Sequence, residues 1–534
     1  MRSVKYRMLP VVVLVWLLLM TGCSKFLEEQ SHDEVRPSSV EDLIALMAGE
    51  AYPYNSTFLP VLPLLTDDVQ CNGGQNQTEF LAVTVKGKSA FSWSKDMFEE
   101  LVLPTGLAAT GNVNVWATLY KKIAGCNTVI EYTGKVQGSE ATKNYLKGEA
   151  LCMRSYYYLM LVNFFGKPYN TEGLDPELSP GVPLKLTMSV NDGLFARNSV
   201  AEVYRQIEAD LKAGAALMAD NQQPVNLYKF TPAAANALLS RVYLYQEKWE
   251  DAIVYADKVI TAKPELANLN NFRGGVVAGY YRYNTGFATT ERANDNRIYS
   301  LNSSREVLWL YRPLGTGTGR LAGDELLRTF ISPGYSTTLN PPYAVSNELL
   351  SLYDMAPQAD TSVYLGDLRS RIYLNTQTFL NFATFTIDYK FLGGSDGLGG
   401  AGIRTAEVYL NRAEANVHRY LATGDAALRQ AALSDINTLR ATRYDSRKAY
   451  NPITIADGNE LLAFYKNERR RELAFDGEHR WFDLRRYGMP PLTHTYSEAP
   501  ASGQTFTLAK ADNRYTLPIP QVVLSRNAQL SQNP

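Results

Sequence analysis

Residues 231–264 read TPAAANALLSRVYLYQEKWEDAIVYADKVITAKP, and this segment has the pattern of two antiparallel helices. Thr231 followed by Pro232 is typical of a helix start, because the first-turn N–H that proline lacks has no partner inside a helix. Small residues at Ser240 and Ala252 would let the two helices approach closely. We therefore expect a helical hairpin here.

The same segment follows the tetratricopeptide pattern, which reads W-x2-L-G-x2-Y, then A-x3-F, then P. Four positions match, one holds an acceptable small residue, and two lack the usual aromatic side chain. The residues in register are Asn236, Leu239, Ser240, Tyr243, Ala252, Ala256 and Pro264.

Other segments also have apolar residues at helical spacing. A first pair is expected over about 113–165, where Gly166 and Pro168 end the second helix. Ser199, with Glu202 three residues later, has the signature of a capping box. The sequence predicts a mainly α protein in which tetratricopeptide-like helix pairs stack as a scaffold. The predicted helical repeat pairs cover about 113–165, 199–264 and 404–475.

Residues 265–400 differ in character, because Gly, Asn, Thr and Tyr dominate and long periodic segments are few. Residues 306–311 are the best candidate for a strand, and Trp309 within them is expected in the core. We predict a long loop-rich insertion with short strands. Loops of this length are usually functional or disordered.

The composition excludes several classes of protein. Hydrophobic residues make up 45% of the 534 residues, which is enough for a large core. The 53 Lys+Arg and 54 Asp+Glu nearly balance, whereas a nucleic-acid-binding protein normally carries a basic excess. The four cysteines exclude a disulfide scaffold, and the four histidines leave little room for a histidine-built metal centre.

The N-terminus predicts export. Residues 9–20 are apolar apart from Pro10, follow a basic start, and are too few to span a bilayer, which takes about 20 residues. Residues 1–22 are therefore predicted to be a signal peptide. The junction LMTGC at 19–23 resembles a bacterial lipobox, which makes Cys23 the predicted acylation site and residues 23–40 a lipid-anchored tether. The alternative is a plain signal peptide with a chance cysteine.

The three remaining cysteines have different expected settings. Cys126 and Cys152 lie in apolar, helix-like segments and are predicted to be buried thiols. Cys71 lies next to Gly73 and Gly74 and is expected to be exposed.

Fragments in a fixed order along the chain carry a family resemblance. The longest reads ERRRELAFDGEHRWFDLRRY at 468–487. The chain resembles the SusD/RagB family of outer-membrane lipoproteins over nearly its whole length. The other fragments are LTDD at 65–68, WATLYKKIAGCN at 116–127, GEALCMRSYYY at 148–158, RTAEVYLNRAEA at 404–415, DINTLR at 435–440 and YTLPIP at 515–520.

The resemblance implies a fold and a role. Such proteins have four tetratricopeptide-like helix pairs that support a loop-rich ligand-binding face. They lie on the outer face of the outer membrane and pair with a TonB-dependent barrel of the SusC type. The resemblance thus implies capture of a glycan or oligopeptide for import, with no enzymatic activity and no cofactor. The alternatives are a tetratricopeptide adaptor without a small-molecule ligand and, with less support, a glycoside hydrolase.

The charged motifs have structural interpretations. Residues 468–472, ERRRE, are expected to form ion pairs within and between helices, with Asp483, Arg485 and Arg486 pairing with that helix. Asp67 and Asp68, on an extended chain, would point to opposite sides, which disfavours joint acid–base chemistry. His418 and His479 lie far apart without other ligands at metal-binding spacing, so no metal site is predicted.

Two insertions are predicted to hold the ligand through aromatic and amide side chains. Tyr rings can stack on sugar faces or peptide planes, while Asn, Gln and Arg can bond hydroxyls or carbonyls. The alternative is that these tyrosines pack the loop onto the helices. The predicted ligand-binding residues are Asn72, Gln75 and Asn76 in the first insertion, and Tyr280, Tyr281, Arg282 and Tyr283 in the second.

Overall fold

The structure is a computed structural model of the chain. The residues that it describes are 37–54, 58–59, 61–74, 78–102, 113–189, 193–272, 298–299, 304–311, 342–354, 363–374, 377–381, 384–388, 401–499 and 502–534.

The described chain begins with a short capped helix. The Ser39 hydroxyl accepts from the Asp42 amide, and the Asp42 carboxylate accepts from the Ser39 amide, so two amides without intrahelical partners are satisfied together. The helix widens into a π-type turn at Met47–Ala51. The elements of this region are α1 (Val40–Leu46), a 3₁₀ turn (Leu62–Leu65), β1 (Val69–Cys71), α2 (Thr78–Phe91) and α3 (Met97–Val102).

Five long helices form the first block of the scaffold, and each packs against the next in sequence. The predicted capping box of Ser199 and Glu202 is present. Thr231 caps the helix that begins with Pro232, as the tetratricopeptide pattern predicts. The helices are α4 (Val115–Tyr132), α5 (Glu140–Phe165), α6 (Val200–Asp220), α7 (Pro232–Tyr245) and α8 (Trp249–Ala262).

Helices α5 and α6 approach closely because each has a glycine at the crossing. A Cβ added at Gly148 would lie 2.8 Å from the Gly214 carbonyl oxygen, and one added at Gly214 would lie 2.5 Å from the Cys152 sulfur. Beside the crossing, the buried Arg154 donates two hydrogen bonds to Asp210, at 2.7 and 2.8 Å. The ion pair therefore fixes the register of two helices that the glycines bring together.

The insertion contributes short strands and two short helices. Trp309 is 0% exposed, which confirms its predicted place in the core. The described elements are β2 (Val307–Tyr311), β3 (Tyr343–Val345), α9 (Asn347–Ser351), α10 (Arg369–Ile372), β4 (Gln377–Asn381), β5 (Thr384–Asp388) and β6 (Ala401–Arg404).

The second helical block follows at once, and its first helix packs on α7 and α8, which joins the two blocks. Gly424, at φ 72°, ends that helix in the left-handed conformation that glycine adopts most readily. The elements are α11 (Thr405–Thr423), α12 (Ala426–Ala441), α13 (Gly458–Glu472), α14 (His479–Arg486), β7 (Leu492–Ser497), β8 (Gly503–Leu508) and α15 (Gln521–Leu524).

The predicted mainly α fold with short strands is confirmed. Within the described ranges the strands form four antiparallel pairs, β1–β3, β2–β6, β4–β5 and β7–β8. Cys126 and Cys152 are buried, as predicted, but Cys71 is half-buried, because it pairs with Tyr343 and lies against the end of β7. No helix in the described part of the chain is both long and apolar enough to cross a membrane.

Candidate functional site

Asn72 leaves the β1–β3 pair at the point where a long insertion returns to it. Its amide donates to the Pro342 carbonyl at 2.7 Å. Gln70 orients its side chain by donating to the Asn72 amide oxygen at 3.2 Å, while Gln70 itself accepts from the Asn347 amide at 2.9 Å. Asn72 and Pro342 are therefore held next to each other at the end of the β1–β3 pair.

Two glycines lay the chain after Asn72 flat against the end of β7. Gly73 has a φ of 76°, and a Cβ there would lie 2.5 Å from the Ser497 carbonyl oxygen. A Cβ at Gly74 would lie 2.7 Å from the carbonyl oxygen of Glu498. This close approach between backbones excludes any larger residue at either position.

Of the predicted site residues, the structure places Asn72 alone. Gln75, Asn76 and the run Tyr280, Tyr281, Arg282 and Tyr283 lie outside the described residues, as does Cys23. Their roles remain predictions.

Asp67 and Asp68, in the turn just before β1, are bound by two arginines. Arg480 forms a bidentate pair with Asp67 at 2.8 and 2.6 Å. Arg470 donates to Asp68 at 2.7 Å, to the Asp67 carbonyl at 3.0 Å and to Glu348 at 2.6 Å. The expectation that the two carboxylates point apart is wrong, because residues 67 and 68 lie in a turn rather than on an extended chain, so both reach Arg470.

The binding of both carboxylates by Arg470 and Arg480 still disfavours joint acid–base chemistry by Asp67 and Asp68. Burial opposes ionisation of Asp67, but Arg480 and Arg470 outweigh it and lower its pKa. For Asp68, burial outweighs the arginines and raises its pKa. Arg480 bonds both oxygens of Asp67 and Arg470 bonds Oδ1 of Asp68, so these carboxylates attach the turn at 67–68 to α13 and α14 through charge-assisted hydrogen bonds.

The ERRRE segment lies at the end of α13 within a buried network, which we call the hub, made of Glu306, Arg369, Arg404, Arg443, Glu468 and Glu472. Glu472 is the shared acceptor. It receives hydrogen bonds from Arg404 and Arg443, both at 2.8 Å, and from the Tyr373 hydroxyl at 2.9 Å. Arg369 bonds Glu468 at 2.7 Å, and Arg404 bonds Glu306 at 2.7 Å.

The hub joins segments that are far apart in sequence. Glu306 precedes β2, Arg369 begins α10, Arg404 ends β6 and Arg443 follows α12. Burial opposes ionisation of Glu472, but the neighbouring arginines outweigh this effect and lower its pKa to about 2. The network therefore attaches the insertion to the second helical block through charge-assisted hydrogen bonds, in line with the structural interpretation of this motif.

Of the three α14 residues predicted to pair with α13, only Asp483 does so, because Arg486 pairs with Glu414 of α11 and with Asp483 of its own helix. Asp483 accepts from Arg469 of α13 at 2.8 Å, and Arg486 bonds both Asp483 at 2.8 Å and Glu414 at 2.7 Å. Arg485 was predicted to pair with α13 and does not. It points towards the end of α5, where it donates to the Gly166 carbonyl, and burial lowers its pKa to about 9.

The histidines have different partners: His418 and His494 contact rings or backbone, whereas His479 lies beside the side chains of Arg469 and Glu407. His418 stacks on Trp249 with centroids 4.2 Å apart, and His494 bonds the carbonyls of Phe91 and Thr66 at 2.7 and 3.0 Å. Over the ranges that the structure describes, no three His, Cys, Asp or Glu side chains are grouped so that they could hold a metal ion.

One polar residue with no assigned role in the sequence analysis has an unusual setting. Glu149, in α5, is 1% exposed, and neither of its carboxylate oxygens has a hydrogen-bond partner within the described part of the chain. It lines a cavity of about 280 Å³. The signal in the sequence is a glutamate within the apolar run GEALCM, which points to a buried carboxylate but not to its partners.

Together these features define a class of protein: a stack of helix pairs, locked by a buried ion network, that carries long insertions from a small strand base. The profile described as "Starch-binding associating with outer membrane" (SusD-like_3) matches residues 25–244, and that of the "SusD family" (SusD_RagB) matches residues 399–534. The chain belongs to the SusD/RagB family. No curated protein matches it.

Solved structures agree with this assignment at the level of the fold. A SusD superfamily protein from Bacteroides thetaiotaomicron has 21% identity and a TM-score of 0.62, covering 93% of this chain and 100% of its own. A SusD superfamily protein from Bacteroides vulgatus has 20% identity and a TM-score of 0.62, covering 93% and 99%. A SusD-like carbohydrate binding protein from the same species has 21% identity and a TM-score of 0.59, covering 92% and 98%.

Proposed function

We propose that this chain is a cell-surface lipoprotein that captures a nutrient glycan and delivers it to a TonB-dependent barrel of the SusC type. The observation that carries the proposal is the division of the chain between scaffold and insertion. The two family profiles match residues 25–244 and 399–534, whereas neither match extends over 245–398. A scaffold shared across the family would keep the same kind of transporter partner. A Tyr-rich insertion particular to this chain would give it a different ligand from its relatives.

A carbohydrate is the favoured ligand, and an oligopeptide is the second candidate. The description of one family profile names starch, and one structural relative is a carbohydrate binding protein. Tyr280, Tyr281 and Tyr283 supply rings that stack on the apolar faces of sugars, and Asn72, Gln75, Asn76 and Arg282 supply hydrogen-bonding groups. In the structure, Asn72 lies at the base of one of the two predicted insertions.

Ligand binding is tested by titrating the purified protein with a glycan array and an oligopeptide library. Replacing Tyr280, Tyr281 and Tyr283 together with Ala should abolish binding of the ligand identified, with Tm nearly unchanged. The matched control replaces the same three residues with Phe, which keeps the rings and removes the hydroxyls, and should retain most of the affinity if stacking dominates. Unaltered affinity in the Ala variant would place the site elsewhere.

Membrane attachment is tested at Cys23. The Cys23→Ala variant should be released from membranes or stall in processing, because the acylated thiol is lost. Each buried methylene of an acyl chain contributes about 0.8 kcal/mol to membrane binding. Normal processing with full membrane retention in this variant would contradict the lipoprotein assignment.

The transporter partner is tested by purification from solubilised outer membranes. The helical blocks present continuous surfaces that suit a permanent partner, and interfaces of permanent complexes often exceed about 2,000 Å². A large barrel should co-purify in near-equal amount. Recovery of the protein alone, under conditions that preserve such complexes, would favour the adaptor alternative.

The glycoside hydrolase alternative requires two carboxylates across a cleft. The adjacent pair that the sequence offers, Asp67 and Asp68, is bound by Arg470 and Arg480. Incubation of the protein with the bound glycan should therefore yield no shorter product. Formation of shorter product, lost in a catalytic-carboxylate variant, would replace the binding role with an enzymatic one.

A further inference from the structure

The hairpin formed by β7 and β8 has one edge that is open to solvent. Its strands pair in continuous register from Leu492 with Leu508 to Ser497 with Gly503. β7 packs against β1 and α2, whereas β8 pairs with no second strand within the described ranges. Along β8 only Leu508 is buried. β8 is therefore an exposed edge strand.

The outer edge of β8 presents backbone groups at alternate residues. In an antiparallel pair, the N–H and C=O of one residue point to the partner strand and those of the next residue point away. The Thr507 carbonyl accepts from Arg514, in the segment after the hairpin, at 2.7 Å, so the backbone of Thr507 points away from β7. Gly503 and Thr505 share this orientation. Their outward N–H and C=O groups have no hydrogen-bond partner among the described residues.

This edge lacks the features that usually prevent an exposed strand from pairing with other chains. Natural proteins protect such edges with charged side chains, proline, bulges or a covering loop. Residues 501–509 read ASGQTFTLA, which contains neither a charge nor a proline. The register with β7 has no bulge, and the exposure of Gly503 and Thr505 excludes a covering loop. The edge is therefore suited to pairing with a further strand.

The backbone groups select the class of partner. Alternating N–H and C=O groups at strand spacing are complementary to an extended polypeptide segment. On one face of the hairpin, Thr505 and Thr507 lie opposite Thr495 and Thr493, whereas the half-buried Phe506 faces the other side. An incoming strand would place polar or β-branched side chains beside the threonines and an apolar side chain beside Phe506.

The source of that strand follows from how long the edge must stay covered. An unprotected edge can template aggregation whenever it is open. A ligand that binds and leaves would expose the edge in every cycle, whereas a permanent subunit keeps it covered. β8 also lies within residues 399–534, which the SusD family profile matches. This part of the chain is shared with the family, so it is where a shared partner is expected to bind.

We propose that β8 binds an extended loop segment of the barrel partner, which adds a third strand to the β7–β8 hairpin. The inference rests on the proposed function, because it names the surface by which the chain would hold its transporter. Gly503 and Thr505 offer both N–H and C=O groups to the incoming strand, and Thr507 offers its N–H. Arg514 occupies the Thr507 carbonyl and so marks the end of the pairing.

The test is co-purification of the barrel from solubilised outer membranes with two variants at one position. Thr505→Pro removes an outward N–H and leaves the bonds to β7 in place, because proline is tolerated on an edge strand where the N–H faces solvent. The amount of barrel recovered per copy of the protein should fall about tenfold or more. The matched control, Thr505→Ala, keeps the N–H and should recover the barrel normally. Both variants should keep the wild-type Tm.

Hydrogen–deuterium exchange of the wild type gives a second readout that needs no substitution. The amides of Thr505 and Thr507 should exchange about tenfold or more slowly in the native complex than in the purified protein. The amides of Gln504 and Phe506, which point to β7, should change little. If Thr505→Pro lowers the Tm, the exchange rates alone decide the question.

The outcomes separate this inference from the proposed function. Full recovery of the barrel by a folded Thr505→Pro variant, or equal exchange rates at Thr505 and Thr507 in the two states, would overturn the strand pairing and leave the transporter partnership standing. Recovery of the wild type without a barrel would overturn both. A dimer of the purified protein that Thr505→Pro dissociates would assign β8 to a second copy of the chain and overturn the barrel as its occupant.

Discussion

Glu472 and Glu149 have the same side chain and are each 1% exposed, yet they have pKa values on opposite sides of the ordinary 4.5. In both cases the largest effect is burial, which raises the pKa. Glu472 is surrounded by Arg369, Arg404 and Arg443, which reverse the shift and lower the pKa to about 2. Glu149 has only Lys229 and a tyrosine hydroxyl to oppose burial, and its pKa rises to about 7.

The comparison shows that burial alone does not define the role of a carboxylate in this protein. In the hub, every guanidinium group is matched by carboxylates from another segment, so the charge fixes how segments meet. At Glu149 the charge is largely uncompensated, which makes the position costly for folding unless another molecule contributes hydrogen bonds. We expect the hub to stabilise the fold and the ionised Glu149 carboxylate to oppose it.

The largest expected effect comes from removing the shared acceptor of the hub. Glu472→Gln leaves the buried Arg404 and Arg443 with fewer anionic partners, and breaking a buried ion pair from one side costs about 3–5 kcal/mol. The free energy of unfolding, from denaturant titration at pH 7, should fall by this amount. The same change at the exposed Glu172 is the control, and a loss below about 1 kcal/mol at Glu472 would mean that the hub contributes little.

The hub also predicts in which direction the free energy of unfolding changes with pH. Because the folded pKa of Glu472 is lowered to about 2, its stabilisation is complete above the unfolded value of 4.5. It is lost as the pH falls from about 4.5 towards 2. The difference in stability between the wild type and Glu472→Gln should therefore narrow on acidification, and a difference that widens would contradict the assignment.

Glu149→Gln should show the opposite trend. The folded pKa is raised to about 7, so the cost in stability is absent well below 4.5, grows as the pH rises from 4.5 to 7 and is complete above 7. At 1.36 kcal/mol per pKa unit, the full cost is about 3 kcal/mol. The Gln variant should equal the wild type near pH 4.5 and exceed it by up to this amount near pH 8.5. Equal stabilities at both pH values would show that the carboxylate is paired.

Two buried arginines, Arg485 and Arg469, differ in the same way as the two buried glutamates. Arg485 is buried like Arg469, but its Nε and Nη1 atoms lack partners among the described residues, whereas Arg469 bonds Asp483 and Asn411. A buried charge without an ionic partner is itself costly, so an apolar side chain of similar length should be tolerated in its place. Arg485→Met should change the unfolding free energy by no more than about 1 kcal/mol, while Arg469→Met should cost several times more. Equal losses would show that Arg485 has an anionic partner.

The sequence predicted the helical scaffold well, because its signals are local. Ser199 with Glu202 and Thr231 with Pro232 mark helix starts that depend only on neighbouring residues. The long-range pairs were harder to predict. The ERRRE motif indicated ion pairs, but nothing local shows that Arg485 turns away towards Gly166, or that a turn brings Asp67 and Asp68 to one arginine.

The candidate functional site is also hard to predict from sequence, because it depends on contacts between distant segments. Asn72 is the one predicted ligand-binding residue within the described chain, where its amide bonds the Pro342 carbonyl, and its role remains a prediction. The cavity lined by Glu149 could not be predicted, because it needs α1, α5 and the segment before α7 to meet. A buried carboxylate can be inferred from its apolar neighbours, but the absence of partners is a property of the tertiary structure.

The smallest expected effect on stability is at an ion pair that has the same chemical groups as the hub but lies at the surface. Arg419 and Glu250 join α11 to α8 with nitrogen and oxygen 2.8 Å apart, but their side chains are 33% and 69% exposed. Water and salt screen such a pair, and ordering two long side chains opposes it, so exposed pairs contribute about 0.2–1 kcal/mol. A double-mutant cycle with Arg419→Gln and Glu250→Gln should give a coupling energy in this range that falls as salt is raised from about 0.05 to about 1 M.

The buried pair of Arg241 and Glu407, which joins α7 to α11 with a contact of 2.6 Å, is the matched case and should keep its larger coupling energy at high salt. A salt-independent coupling above about 2 kcal/mol at Arg419 and Glu250 would show that burial is not what separates the hub from the surface.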